Sequence, residues 1–148
     1  MVRAAILDDY QNVAMAFADW SPIAKDVEIK VFNKPFGSQD EAIKALQGFA
    51  VVVGMRERTP FPRKVVEALP DLKLLITTGA RNNSFDIKAC AERGVTVCGT
   101  GAAGSPTTGI ANVLGFIRGN LSYTCVNLLD SVRIRMLQYA VASTCLAD

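Results

Sequence analysis

Lys73-Leu74-Leu75-Ile76-Thr77-Thr78 is an apolar run that stops at Gly79; Asp86 to Arg93 then has helical composition, Gly94 closes it, and Val95-Thr96-Val97-Cys98 resumes the apolar character. Short branched apolar runs on either side of a helical segment read as a strand–helix–strand unit. Gly94 stands where a helix end takes the left-handed backbone conformation. Two strands joined through a helix pair in parallel, so this unit decides the fold class.

The same alternation continues outward. Ala50-Val51-Val52-Val53 is an unbroken apolar strand stopped by Gly54, and Pro60 and Pro62 open a short helix through Val65, Val66 and Leu69 that Pro70 ends. Ser38 with Glu41 forms a capping box ahead of a helix carrying Ala42, Ile43, Leu46 and Phe49. Val27 to Phe32 alternates apolar and charged residues, as a strand near a sheet edge does. Ala4-Ala5-Ile6-Leu7 is a buried strand closed by Asp8-Asp9. Val13, Phe17 and Trp20 have helical spacing, which predicts a helix over Tyr10 to Trp20 before Pro22. Beyond Cys98, Ser105-Pro106 opens a helix to about Gly119.

Five strands separated by helical segments predict an α/β fold: a flavodoxin-like, doubly wound, parallel five-stranded sheet in a single domain, with helices on both faces. That domain is expected over residues 1–121. Residues 122–148 carry Val126, Leu128, Leu129, Val132, Ile134, Met136 and Leu137 without a clean period. They form a tail whose secondary structure the sequence leaves open.

Composition narrows the chemistry. Sixteen basic residues against fourteen acidic ones among 148 give a net charge of +2, and they are scattered, which argues against a nucleic-acid partner. No apolar run approaches the ~18–20 residues needed to span a bilayer, and Asp8-Asp9 interrupts any signal-peptide core, so the expected compartment is the cytoplasm. Cys90, Cys98, Cys125 and Cys145 form no C-x-x-C pair, and there is no histidine, so no metal site is expected. The missing histidine also excludes a Ser-His-Asp triad, a Cys-His pair and any histidine general base, and no catalytic residue is assigned.

In open α/β sheets, ligands collect at the carboxyl ends of the strands. Gly79-Ala80-Arg81-Asn82-Asn83 leads into a helix, and its backbone amides suit a carboxylate, though the same residues also suit an ordinary strand-to-helix turn. Gly99-x-Gly101-x-x-Gly104 matches the dinucleotide fingerprint between a strand and a helix. Asp130, the acid that would complete it, lies further on than the usual ~20 residues, and a Gly/Ala connector is the competing reading. Arg56 and Arg58 suit either a bidentate carboxylate clamp or a solvated surface. Asp8 and Asp9, adjacent at a strand end, point apart, which favours capping of the following helix over a shared acid/base site.

Taken together, Leu72 to Thr78, Gly79 to Asp86 and Ala91 to Val97 resemble the D-isomer-specific 2-hydroxyacid dehydrogenases, in their substrate-binding (catalytic) domain. Gly54-Met55-Arg56-Glu57-Arg58-Thr59-Pro60 and Ser105-Pro106-Thr107 fit the same pattern, and the resemblance spans residues 1 to about 121. It implies NAD(P)-dependent hydride transfer on a small 2-hydroxy or 2-oxo acid. It places Gly79, Ala80 and Arg81 where substrate carboxylate is received, and Arg56 at the far end of the substrate. Gly101 to Ser105 falls near the interdomain cleft.

The family's NAD-binding domain, with its glycine fingerprint and its arginine, glutamate and histidine, has no counterpart before Asp148. Val141 to Ala147 resembles the segment leading to that domain, while Gly109 stands where the family usually has glutamate and Asn112 where it has a bulky apolar residue. The resemblance therefore implies a truncated dehydrogenase-like chain without turnover of its own and without tight cofactor binding. The alternatives are a module that pairs with a separate cofactor domain or with itself, and a non-functional remnant.

Overall fold

The computed structural model describes residues 1–16, 19–79 and 81–99. Along them run β1 Val2–Ile6, β2 Val27–Val31, α1 Gln39–Ala45, β3 Val51–Gly54, α2 Arg63–Glu67, β4 Leu74–Thr77, α3 Ile87–Glu92 and β5 Thr96–Gly99. All pairings are parallel, in the order β2-β1-β3-β4-β5. This is the flavodoxin-like order that the sequence predicts. The alternating strand β2 lies at the edge, and the unbroken apolar runs of β3 and β4 are central and flanked on both sides.

Period-two alternation sends successive side chains into two apolar clusters. On one face Ala5, Leu7, Val52, Leu75 and Val97 meet Leu46, Val65, Val66, Ala89 and Cys90 from α1, α2 and α3 or their ends. On the other, Ala4, Val51, Leu74, Ile76 and Cys98 pack with Ile23, and Trp20 lies against them. The β1-to-β2 connection thus crosses on the second face and the later ones on the first. Right-handed crossovers demand this once the strand order reverses at β1.

The helix ends show how the sequence sets them. Ser38 Oγ accepts from the Glu41 N–H at 3.1 Å, and Glu41 reaches back to the Gly37 N–H at 2.7 Å, one residue before the cap. Asp86 Oδ1 accepts from the Ala89 N–H at 2.8 Å, and Gly94 closes α3 with φ 69°. Arg63 joins α2 to α3 through Glu92 at 2.7 Å, and Lys64 joins α2 to α1 through Asp40 at 2.6 Å. The hydrogen bond from Arg63 holds the Glu92 carboxyl below its ordinary range.

The predicted helix over Tyr10 to Trp20 does not form among the described residues of that stretch, which run as turns. Asp9 supplies the reason. Its carboxylate oxygens accept from the Val13 N–H at 3.1 Å and the Ala14 N–H at 2.9 Å, and Asn12 takes φ 54°, outside the helical region. Backbone bonds then reach back three residues, from Asn12 to Asp9 and from Ala16 to Val13. Trp20 lies against the second face, with its indole N–H donating to the Ala14 carbonyl at 3.0 Å. Phe17, the predicted helix from Ser105, and the tail 122–148 with its boundary lie outside the described residues. No helix of the described residues is long and apolar enough to cross a membrane.

Candidate functional site

Parallel strands bring all their carboxyl ends to one edge of the sheet. There the loop after β3 and the loop after β4 run side by side. They meet first through Phe61 and Phe85: the Phe61 N–H donates to the Ser84 carbonyl at 2.9 Å, and the Asp86 N–H donates to the Phe61 carbonyl at 2.9 Å. The two rings stack edge-on with centroids 5.4 Å apart. Gly54 allows this approach, because a Cβ there would stand 3.0 Å from Phe85 Cζ.

A second join lies at Arg56. This residue takes φ 51°, a left-handed conformation uncommon outside glycine. Its N–H donates to Thr78 Oγ1 at 3.2 Å, and its carbonyl accepts from Asn82 Nδ2. Asn82, only 7% exposed, also donates to Thr77 Oγ1 at 3.1 Å. Its Oδ1 accepts from the Ser84 N–H at 3.0 Å and from Ser84 Oγ at 2.6 Å. Every polar atom of the buried amide is thereby used.

The structure brings Arg56 and the Gly79–Arg81 loop together through Thr78 and Asn82. Gly79 is half-buried, Arg56 and Arg81 are exposed, and neither guanidinium pairs with a described residue. Ala80 lies outside the described residues. Below the loop is a pocket of about 140 Å³ lined by Thr77, Arg81, Asn82, Asn83, Phe85, Ile87 and Val97. A larger one of about 240 Å³ lies between Pro35–Ala42 and Arg58–Pro60.

Arg58 does not join Arg56 in a clamp. Its guanidinium lies 4.2 Å over the Tyr10 ring and donates to the Tyr10 hydroxyl at 2.7 Å. Asp8 and Asp9 point apart, Asp8 to Thr59 and Asp9 to the turn it caps, where a helix was expected. Of the glycine fingerprint, Gly99 is the last residue of β5, buried and paired with Thr77. Gly101 and Gly104 lie outside the described residues, so no described cradle is assigned to a nucleotide. Among the described residues no three histidine, cysteine, aspartate or glutamate side chains gather as metal ligands.

Sequence reasoning passed over Asn82, Thr78 and Tyr10 as fastening residues. An asparagine in a strand-to-helix turn signals turn chemistry, as its bond to Thr77 does, but its bond to Arg56 joins segments 26 residues apart.

A family profile for the D-isomer specific 2-hydroxyacid dehydrogenase catalytic domain matches residues 4–127. The chain belongs to that family. Among solved structures it is similar to a phosphoglycerate oxidoreductase from Vibrio cholerae O395, at 36% identity and TM-score 0.62, over 67% of this chain and 31% of that one. A structure from Ralstonia solanacearum described as a D-3-phosphoglycerate dehydrogenase matches at 31% identity and TM-score 0.60, over 69% and 30%. An acyclic imino acid reductase in complex with NADPH and D-Arg shares the fold at 19% identity and TM-score 0.54, over 68% and 31%. The match thus spans about a third of the length of each of these three structures. No curated protein matches the chain.

Proposed function

We propose that the chain supplies the substrate-binding half of an NAD(P)-dependent oxidoreduction of a small 2-hydroxy or 2-oxo acid. In this reading the amides of the Gly79–Arg81 loop receive the carboxylate, and Arg56 meets the far end of the substrate. The observation that carries it is the fastening of these two loops by Thr78 and Asn82 at the carboxyl edge of the sheet, where such folds bind ligands. Two exposed arginines on the joined loops add positive charge suited to an acid.

NAD(P)H, bound by a further domain or partner chain, supplies the hydride. What this chain does is hold the acid by its carboxylate so that its carbon faces that domain. None of the 148 residues is histidine, so proton exchange by an imidazole is not a step this chain performs. The cytoplasm is the compartment proposed for it.

Titration of the purified chain with D-glycerate, followed by amide NMR shifts, tests the reading. Binding near 1 mM, or about −4 kcal/mol, should move the Gly79 and Arg81 amides and weaken in Arg56→Gln. The chain mixed with NADH and glyoxylate should show no NADH oxidation. Glycerate that leaves those amides unmoved, or clear turnover by the isolated chain, would sink the proposal.

A further inference from the structure

We infer that Asn82 is a positioning residue that sets the direction of Arg56 and couples it to the Gly79–Arg81 loop. The inference rests on the functional reading above for why that direction matters. Two peptide planes meet at Arg56. Its N–H belongs to one plane and its carbonyl to the next, and together the two planes define the φ and ψ of the residue. Thr78 Oγ1 holds the first plane and Asn82 Nδ2 holds the second. With both planes held, the Cα–Cβ direction of Arg56 is fixed in its left-handed conformation.

The orientation of the amide follows from its partners. The Ser84 N–H can only donate and the Arg56 carbonyl can only accept, so Oδ1 must face Ser84 and Nδ2 must face Arg56. Aspartate has nearly the same shape but would set one oxygen against another at Arg56. Alanine would leave the Arg56 carbonyl and the Thr77 hydroxyl without this donor. Thr78 and Asn82 also bracket Gly79 to Arg81, so the same two side chains bind that loop and Arg56 into one unit.

The test compares amide hydrogen exchange in Asn82→Ala and the near-isosteric Asn82→Asp, with Thr77→Val as the control that removes only the other acceptor. Exchange at residues 55–58 should rise about tenfold in both Asn82 variants, the size expected for one lost net hydrogen bond. The amides of β3 and β4 should keep their protection, and Thr77→Val should leave residues 55–58 as they were. Unchanged exchange at residues 55–58, or a uniform rise across the sheet, overturns the inference.

Glycerate affinity gives the second readout. Asn82→Asp should weaken binding, and should weaken it less in the Arg56→Gln background than in the wild type, whereas fully additive losses overturn the coupling. A wild-type chain that binds no glycerate overturns the functional reading, and the exchange data still decide the role of Asn82.

Discussion

Thr59 Oγ1 donates a 2.7 Å hydrogen bond to Asp8 Oδ2, fastening the loop after β3 to the loop after β1. The two side chains lie where the strand order reverses, so the chain leaves β1 toward one face of the sheet and leaves β3 toward the other. Asp8 is 4% exposed and takes φ 59°. Thr59→Val keeps the shape but removes the donor from a buried carboxyl. The expected loss is about 1–3 kcal/mol in urea unfolding, the usual cost of an unsatisfied buried acceptor. Thr59→Ser should recover most of it, and two variants of equal stability would show that the hydroxyl contributes nothing.

The strands were legible because burial dictates them. The apolar runs at residues 50–53 and 73–78 are long enough and flanked clearly enough to be read as central strands, and the charged alternation of Val27 to Phe32 marks an edge. The segment from Tyr10 to Trp20 misled because Trp20 packs against the second core face with no helix among the described residues leading to it, while Val13 belongs to neither apolar cluster. The backbone path is set by Asp9 and Asn12, whose local bonds compete with a helix. The candidate site was legible as two loops, from Gly54 at the end of β3 and Gly79 just beyond β4. Its fastening was not, because Asn82 and Arg56 are joined only once the sheet has formed.

Asp86 has two attachments, and its replacement separates them. Its carboxylate caps α3 at the Ala89 N–H, while its own N–H pairs with the Phe61 carbonyl, a bond that any residue except proline keeps. Asp86→Ala should therefore cost about 1 kcal/mol, the ordinary loss of an N-cap. Asp86→Asn should retain most of the stability. A drop in thermal midpoint as large for asparagine as for alanine would mean that charge, not the cap bond, matters there.

Cys90 gives an alkaline signature. Burial, with the Asp86 charge adding to it, pushes its thiol up to about 11. The folded value lies above the unfolded one, so the contribution to stability is complete below about pH 8.5. It is lost as pH rises through 11, because the unfolded chain gives up the proton first. Alkylation of the native chain at pH 8, followed by mass mapping, should leave Cys90 unmodified. Cys90→Ala should flatten the fall in stability between pH 9 and 11, and a fall of undiminished steepness would assign it to other groups.

Gly54→Ala joins the core to the candidate site. A methyl group there meets Phe85 Cζ at 3.0 Å, and Phe85 has little room to withdraw because it is 5% exposed and stacked edge-on against Phe61. Gly54 has no positive φ to complicate the substitution, so the effect is one of packing. Overpacking of this kind costs about 1–3 kcal/mol. Phe85 also lines the pocket beneath the Gly79–Arg81 loop, so its displacement should shift the NMR amide signals of Gly79 and Arg81 as well as lower the urea midpoint. A stability change under about 0.5 kcal/mol, the range of an ordinary surface substitution, together with unmoved loop amides, would show that the ring turns aside freely.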